Sequence, residues 1–214
     1  MIFSAARQRW GAMTDKIVLQ VPTTAEKVQE LKVGSEVYLT GVVHNMRASL
    51  FRLTHMAERG EAIPGALRAG LEGGAIHYAG PIIDNKGRVL SASSTTTRRL
   101  STSIIERMVK DFGIRLIVSK EGLGPGAVDL LKEHGVAYLA TVVGAGAWYA
   151  YPRVKRIQEI FWEDLGMGEA CYVMEVDNFG PLWVGIDAHG NSLYETTKQM
   201  IKENKKKVYT ELGW

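Results

Sequence analysis

A strand–turn–helix–strand pattern in the middle of the chain constrains the fold more than any other feature of this sequence. Residues 114–119 form an apolar run, a glycine-rich turn and a short helical pattern over 127–134 follow, and a second apolar run covers 136–143. Two buried strands joined in this way form a βαβ unit, in which the strands are parallel and the crossover is right-handed. The pattern therefore predicts an α/β fold with a mostly buried sheet flanked by helices.

Patterns outside this unit predict further strands and helices. Apolar residues at helical spacing predict a helix over 95–112, with Ser94 or Thr95 at its N-cap. Gly80-Pro81 is interpreted as a turn, and Asp84-Asn-Lys-Gly87 as a hairpin-type turn. We interpret two segments, 60–74 and 147–167, as largely irregular. Strands are predicted over 16–21, 35–43, 75–79, 89–90, 171–176 and 182–186. The other helices are predicted over 24–31, 50–57 and after residue 191.

The length and composition fit a single globular domain. Of the 214 residues, 46% are apolar and 23% are charged, which is ordinary for a protein with one substantial core. Residues 1–14 lack a signal-peptide pattern, and we interpret them as a disordered extension that precedes one domain over 15–214. No apolar run approaches the ~20 residues that span a bilayer. We therefore expect a cytoplasmic protein that does not bind membranes.

Charge and cysteine content argue against several classes of partner. Much of the net charge of +3 lies in Lys198–Lys207, a segment without interleaved aromatic residues, so we expect no nucleic-acid partner. The single cysteine, Cys171, excludes an internal disulfide and any cluster held by cysteines of this chain alone. We expect no metal to be bound by this chain.

A segment rich in hydroxyl groups and arginine precedes the predicted helix over 95–112. It reads Ser93-Ser94-Thr95-Thr96-Thr97-Arg98-Arg99-Leu100. Hydroxyls, guanidiniums and free backbone N–H groups in one turn suit a small anion such as a carboxylate or phosphate. An ordinary Ser/Thr cap with two solvated arginines explains the same residues, and composition alone does not choose between these interpretations.

Cationic residues occur at equivalent places in the predicted layout. Arg47 follows one predicted strand, Arg99 follows another, and Lys120 comes directly after residues 114–119. In open α/β sheets, ligands bind at the carboxyl ends of the strands. If these ends converge, the cations surround an anion-sized space together with Thr95 and Thr96. The alternative is that each cation extends into solvent at the surface.

Other candidate sites are weaker. The segment Gly122–Gly126 lacks the Lys-Ser/Thr ending of a phosphate-binding loop and is interpreted as a turn. The five histidines have no ligand-type spacing, and no Ser-His-Asp arrangement is visible.

The order of several short motifs resembles the β subunit, or C-terminal domain, of the iron–sulfur hydro-lyases, the family of class I fumarase and L-tartrate dehydratase. The resemblance covers roughly residues 16–194. It is carried by Arg47, Tyr78-Ala-Gly-Pro81, the segment Ser93–Leu100, Lys120-x-Gly122, His134-Gly-Val-Ala-Tyr138, Leu165-Gly-Met167, Glu175-Val176 and Asp187-x-x-Gly190-Asn191.

The resemblance implies a swivelling β/β/α domain and a subunit that acts only with a partner. In this family a [4Fe–4S] cluster on the α subunit acts on the hydroxyl of a small dicarboxylate, and the β part supplies cations and a threonine base. Carried over to this sequence, Arg47, Arg99, Lys120 and Thr95 bind the substrate, and Thr96 or Thr95 is the base. The implied partners are an α subunit and a dicarboxylate, in a homodimer or an α2β2 heterotetramer.

Departures from the family motifs leave other functions open. The Gly-Pro that opens the threonine motif is Ser93-Ser94 here, and the acid and the imidazole that follow the upstream arginine are replaced by Ala48 and Phe51. A non-catalytic paralogue that binds anions or serves as a scaffold is the first alternative. An independent α/β enzyme that binds phosphate is the second.

Overall fold

The computed structural model describes residues 16–124 and 126–214, so the extension predicted over residues 1–14 lies outside the described residues. The described residues form an α/β domain of eight strands and seven α-helices. None of these helices is both long enough and apolar enough to cross a bilayer. The strands are β1 (Ile17–Val21), β2 (Glu36–Met46), β3 (Ala75–Ile83), β4 (Val89–Ser94), β5 (Leu116–Ser119), β6 (Ala137–Ala140), β7 (Val154–Phe161) and β8 (Cys171–Ile186), and the helices are α1 (Ala25–Gln29), α2 (Ala48–Glu58), α3 (Gly65–Leu71), α4 (Thr102–Lys110), α5 (Ala127–His134), α6 (Gly146–Ala150) and α7 (Leu193–Glu211).

The sheet closes on itself through its longest strand. β2, β3, β5 and β6 pair in parallel in that order, and β8 then pairs antiparallel with both β6 and β2. The ring closes at Trp183 of β8, which faces Ala140 on one side and Glu36 on the other. β1, β4 and β7 extend the sheet from β2, β3 and β8. The predicted βαβ unit is confirmed, with Leu116 paired to Ala137.

Side chains alternate between the two faces of the ring strands, and this alternation divides the apolar core into two layers. Leu116, Val118 and Leu139 belong to one buried cluster, whose members meet inside the ring. Ile117 and Tyr138 point the other way, into a cluster that includes the buried residues of α2, α3, α4 and α5. Because strand side chains alternate between faces, each ring strand contributes to both layers. The predicted fold class of a buried sheet flanked by helices is confirmed.

The helix predicted over 95–112 begins later than expected, and its predicted N-cap at Ser94 or Thr95 is wrong. β4 continues to Ser94, a short 3₁₀ helix covers Thr97–Arg99, and α4 starts after Ser101, whose Oγ accepts the Ile104 N–H at 3.4 Å. Sheet contacts explain the delay. The Thr95 N–H donates to the Tyr78 carbonyl at 2.9 Å, and a parallel bridge joins Thr96 to Lys120. The chain is free to coil only beyond these residues.

The turn predicted at Gly80-Pro81 is also wrong, because β3 runs through both residues. β3 pairs with β2 and β5 only over its first residues, and from Ala79 onward it pairs with β4 alone. Pro81 therefore lies where one edge of β3 is unpaired and its missing N–H is not required. The hairpin turn expected after it is confirmed, with the Asp84 carboxylate accepting the N–H groups of Lys86 and Arg88, each at 2.9 Å.

The last third of the sheet differs most from the prediction. The strands predicted over 171–176 and 182–186 are one strand, β8, which bends at Asn178 as it passes from β7 toward β6. β7 lies within the segment predicted to be irregular. It is an edge strand with mostly exposed, charged side chains. Such strands lack the apolar alternation on which the prediction depends. α3 likewise occupies part of the segment 60–74.

Substitution of Gly41 should destabilise the domain strongly. Gly41 has φ 121°, and a Cβ added there would lie 2.0 Å from the Val21 carbonyl oxygen of the neighbouring strand. Gly41→Ala therefore adds backbone strain to a clash with main chain, and we expect a loss of about 3 kcal/mol or more in the free energy of unfolding. Gly34→Ala is the matched control, because Gly34 has φ 86° with no atom near the added Cβ. It should cost only about 1 kcal/mol in urea unfolding. Equal losses for both variants would contradict this explanation.

Candidate functional site

A short segment after β4 crosses the sheet edge at which β2, β3, β5 and β6 end. The Thr95 N–H and Oγ1 both donate to the Tyr78 carbonyl, at 2.9 and 3.0 Å. The Ser119 Oγ donates to the Thr95 carbonyl at 2.7 Å, and Thr96 forms a parallel bridge with Lys120. The segment is therefore fixed between the ends of β3 and β5. The structure thus brings together Thr95, Thr96 and Lys120, as the sequence predicts.

Arg47 and Arg99 both lie close enough to Tyr78 for their charges to act on it. The Arg99 guanidinium is 5.2 Å from the centre of the Phe51 ring, and Phe51 packs edge-on against Tyr78 at 6.3 Å between ring centres. Burial raises the pKa of the Tyr78 hydroxyl, and the positive charges of Arg99 and Arg47 oppose that rise. Both guanidiniums are therefore close enough to act on the same side chain. Sequence analysis selected the two arginines but not the aromatic residues that hold Arg99.

Glu169 fixes Arg47 and was missed by the sequence analysis. Arg47 occupies the N-cap of α2 without a side-chain cap of its own. The Glu169 carboxylate is 2.9 Å from Arg47 Nη1 and accepts the Ala48 N–H at 3.0 Å, while the Glu169 carbonyl accepts the Ser49 N–H at 2.9 Å. One residue thus caps the helix and orients the guanidinium. The contact joins residues far apart in the chain. Its only sequence signal is the adjacent motif Leu165-Gly-Met167.

The Lys120 side chain lines a pocket of about 280 Å³ at the open end of the ring. Ser93, Ser94, Thr141, Tyr149 and the loop over 142–146 complete this lining. No carboxylate of residues 16–124 or 126–214 forms an ion pair with Lys120. The pocket therefore presents an unneutralised ammonium group among hydroxyls. This setting suits an anionic oxygen of a ligand.

Polar side chains inside the ring lead to this pocket. His77 is 1% exposed, its Nε2 is 2.7 Å from Ser94 Oγ, and its Nδ1 is 3.3 Å from the side-chain nitrogen of Asn45. Thr141 Oγ1 donates to Ser94 Oγ at 2.9 Å. Sequence analysis missed the contact between His77 and Ser94, because the two residues lie on different strands. The histidine and the serine are nonetheless in direct contact.

The donor set of the described residues does not fit a metal centre. Among the described residues, no group of three or more His, Cys, Asp or Glu side chains is arranged to hold a metal ion. The thiol of Cys171, the single cysteine, is buried, and burial raises its pKa to about 12, so it is not a thiolate at neutral pH. An iron–sulfur cluster would need ligands from another chain.

Comparison with known proteins agrees with this architecture. Residues 3–197 match the family described as Fumarase C-terminus. The chain is 32% identical to the L(+)-tartrate dehydratase subunit beta of Escherichia coli K12 over 200 residues, which cover 92% of this chain and 96% of that protein. It is 35% identical to the putative L(+)-tartrate dehydratase subunit beta of Methanocaldococcus jannaschii, with 89% and 93% of the two chains covered.

A longer relative contains the same unit. The putative fumarate hydratase class I of Geobacillus stearothermophilus is 30% identical over 207 residues, which cover 94% of this chain but 38% of that protein. A stretch similar to nearly all of this chain therefore occurs there within a larger polypeptide.

Acid should destabilise the fold through its buried histidines. Burial lowers the pKa of His77 to about 3 and that of His44 to about 4, against 6.5 for a solvated histidine. Between pH 6.5 and about 4 the unfolded chain binds protons that the folded chain does not. The free energy of unfolding therefore falls with acidification, by up to about 1.4 kcal/mol per pH unit for each histidine. His77→Gln should make the pH dependence of the free energy of unfolding less steep, because unfolding then takes up one proton fewer. An unchanged slope in His77→Gln would contradict the assignment.

Proposed function

This chain belongs to the Fumarase C-terminus family, and from that membership we propose that it is the β subunit of a two-subunit hydro-lyase. The reaction is the reversible dehydration of a small hydroxy-dicarboxylate, either malate to fumarate or tartrate to oxaloacetate. The observation that carries the proposal is the segment Thr95-Thr96, fixed at the sheet edge beside Lys120 and close to the arginines around Tyr78.

The arrangement of the cations supports a substrate with two carboxylates. Arg47 and Arg99 act on one side chain, Tyr78, and so form one anion-binding group. Lys120 forms a second such group in its own pocket, and the Thr95-Thr96 segment lies between the two. Arg47 has further N–H donors besides the one that contacts Glu169, since a guanidinium carries five. Each end of a dicarboxylate would thus meet at least one fixed positive charge.

Thr96 is the better candidate for the base. The Thr95 hydroxyl already donates its proton to the Tyr78 carbonyl, which makes it a structural and substrate-positioning residue. Thr96 makes no side-chain cap hydrogen bond at the start of the 3₁₀ helix. In the proposed reaction Thr96 Oγ1, as an alkoxide that the neighbouring cations stabilise, takes the proton from the carbon next to the one that bears the hydroxyl. The electron pair of that C–H bond forms the C=C bond, and the hydroxyl leaves its carbon as hydroxide, which a cluster on an α subunit would receive as a Lewis acid.

The proposal assigns the [4Fe–4S] cluster to an α subunit, because this chain has a single cysteine and its thiol is buried. The functional unit is then an αβ assembly, either as an α2β2 heterotetramer or around a homodimer of β subunits, in the cytoplasm. The isolated β chain should be inactive.

A non-catalytic paralogue is the second candidate, favoured by one observation. Phe51 stands where the family motif has an imidazole, and it covers the Arg99 guanidinium with an aromatic ring. Such stacking holds the cation in place for anion binding without adding a proton donor. In this alternative the chain binds dicarboxylates but does not turn them over.

Anaerobic co-expression with a cluster-bearing α subunit tests the proposal. Dehydration of malate and of both tartrates is measured for each chain alone and for the purified complex. Activity that requires both chains is the expected result, and the preferred substrate identifies the reaction. A complex with an intact cluster that turns over none of these acids would contradict the hydro-lyase proposal and favour the non-catalytic alternative.

Two variants of the active complex should separate binding from turnover. Thr96→Val keeps the side-chain shape but removes the hydroxyl, so kcat should fall by roughly a hundredfold or more with little change in KM. Arg99→Ala should instead raise KM by roughly ten- to a hundredfold, because it removes a charged hydrogen-bond donor. Arg88→Ala, in the exposed hairpin turn, is the control. Full activity of Thr96→Val would exclude Thr96 as the base.

A further inference from the structure

The polar groups inside the ring are arranged to fix one hydroxyl at the mouth of the Lys120 pocket. His77, Asn45 and Thr141 are each at most 9% exposed, and burying such groups is costly unless they form hydrogen bonds. The bonds of His77 and Thr141 converge on Ser94 Oγ, a half-buried atom that also lines the pocket. Ser94 is therefore the point at which the buried network reaches ligand-accessible space.

The directions of these bonds can be assigned from the partners. His77 is neutral, so one ring nitrogen accepts and the other donates. The side-chain N–H of Asn45 faces Nδ1, which is then the acceptor, and Nε2–H donates to Ser94 Oγ. Thr141 Oγ1 lies 2.9 Å from Ser94 Oγ and 3.2 Å from the Ser119 carbonyl, and the shorter contact is its donation to Ser94. Both lone pairs of Ser94 Oγ are thereby occupied.

Ser94 then has its own proton left to donate, into the pocket that it shares with Lys120. An ammonium group has three donors and no acceptor. The groups held at this end of the ring therefore present donors and a positive charge, which match a carboxylate oxygen better than a carbonyl or an apolar group.

We propose that Ser94 and Lys120 together bind one carboxylate of the substrate, with His77 and Thr141 as positioning residues for Ser94. This inference rests on the proposed function for the identity of the substrate. Arg47 and Arg99 then bind the opposite carboxylate, and Thr96 lies between the two ends.

Ser91 provides a matched control on the same strand. Its hydroxyl is 3.2 Å from Ser93 Oγ and faces Gly146, where an added Cβ would lie 2.4 Å from it, and Ser91 does not line the Lys120 pocket. Ser91→Ala and Ser94→Ala remove the same group from one strand, and only the second removes the donor that His77 and Thr141 orient.

Steady-state kinetics of the α–β complex are the first test. Ser94→Ala should raise KM for the dicarboxylate about tenfold with kcat within about twofold, as expected for loss of one hydrogen bond to a charged group. Ser91→Ala should change neither constant. Thr141→Val, which removes one of the two donors to Ser94, should raise KM by a smaller factor. Equal KM values in Ser94→Ala and Ser91→Ala would overturn the proposal.

A second test needs no turnover and separates this inference from the proposed function. The His77 Nε2–H signal of the full ¹⁵N-labelled chain is followed by NMR during titration with succinate, a dicarboxylate without a hydroxyl. The signal should shift in a saturable manner in the wild type and in Ser91→Ala, with about tenfold weaker binding in Ser94→Ala. If the complex turns over no substrate but this dependence on Ser94 is found, only the proposed function fails. If the complex is active and neither test depends on Ser94, only the carboxylate site fails.

Discussion

The candidate site depends on main-chain hydrogen bonds that hold one short segment across the edge of the sheet. Thr95 contacts β3 through the Tyr78 carbonyl and β5 through Ser119, so its position is set by two strands at once. Thr96 follows at a fixed distance from Lys120. Because these bonds involve the backbone and small hydroxyls, the segment needs no long side chain to stay in place. The side chains that remain free can then serve a ligand.

The three cations around this segment differ in whether an acidic side chain neutralises them. Arg47 is paired with Glu169, which also caps α2, so its guanidinium is fixed by the fold before any ligand arrives. Arg99 is held by an aromatic ring rather than an acid. Lys120 has no ion-pair partner among the described residues. A ligand therefore meets one cation that is partly neutralised and two that are not. This excess of positive charge favours a ligand with two negative charges over a ligand with one.

The sequence predicted the parts of this protein that depend on local pattern. The strand pair β5 and β6, the hairpin turn at Asp84 and the positions of Arg47, Arg99 and Lys120 at strand ends follow from spacing and turn chemistry. It could not predict the start of α4, since Thr95 and Thr96 are held by strands distant in the chain. Glu169 and His77 were missed for the same reason. Their roles come from contacts across strands that no local pattern encodes.

Closure of the ring by β8 has a consequence for how the protein forms. Glu36 and Trp183 are paired although they lie about 150 residues apart in the chain, so the ring cannot be completed until nearly the whole sequence has left the ribosome. Contacts of such long range slow folding, because the entropy of closing the loop is lost before the contact is gained. Until β8 has been synthesised, the parallel strands that carry the site therefore keep unpaired edges. A chain of this kind is most exposed to aggregation during its own synthesis, and least exposed once β8 has paired.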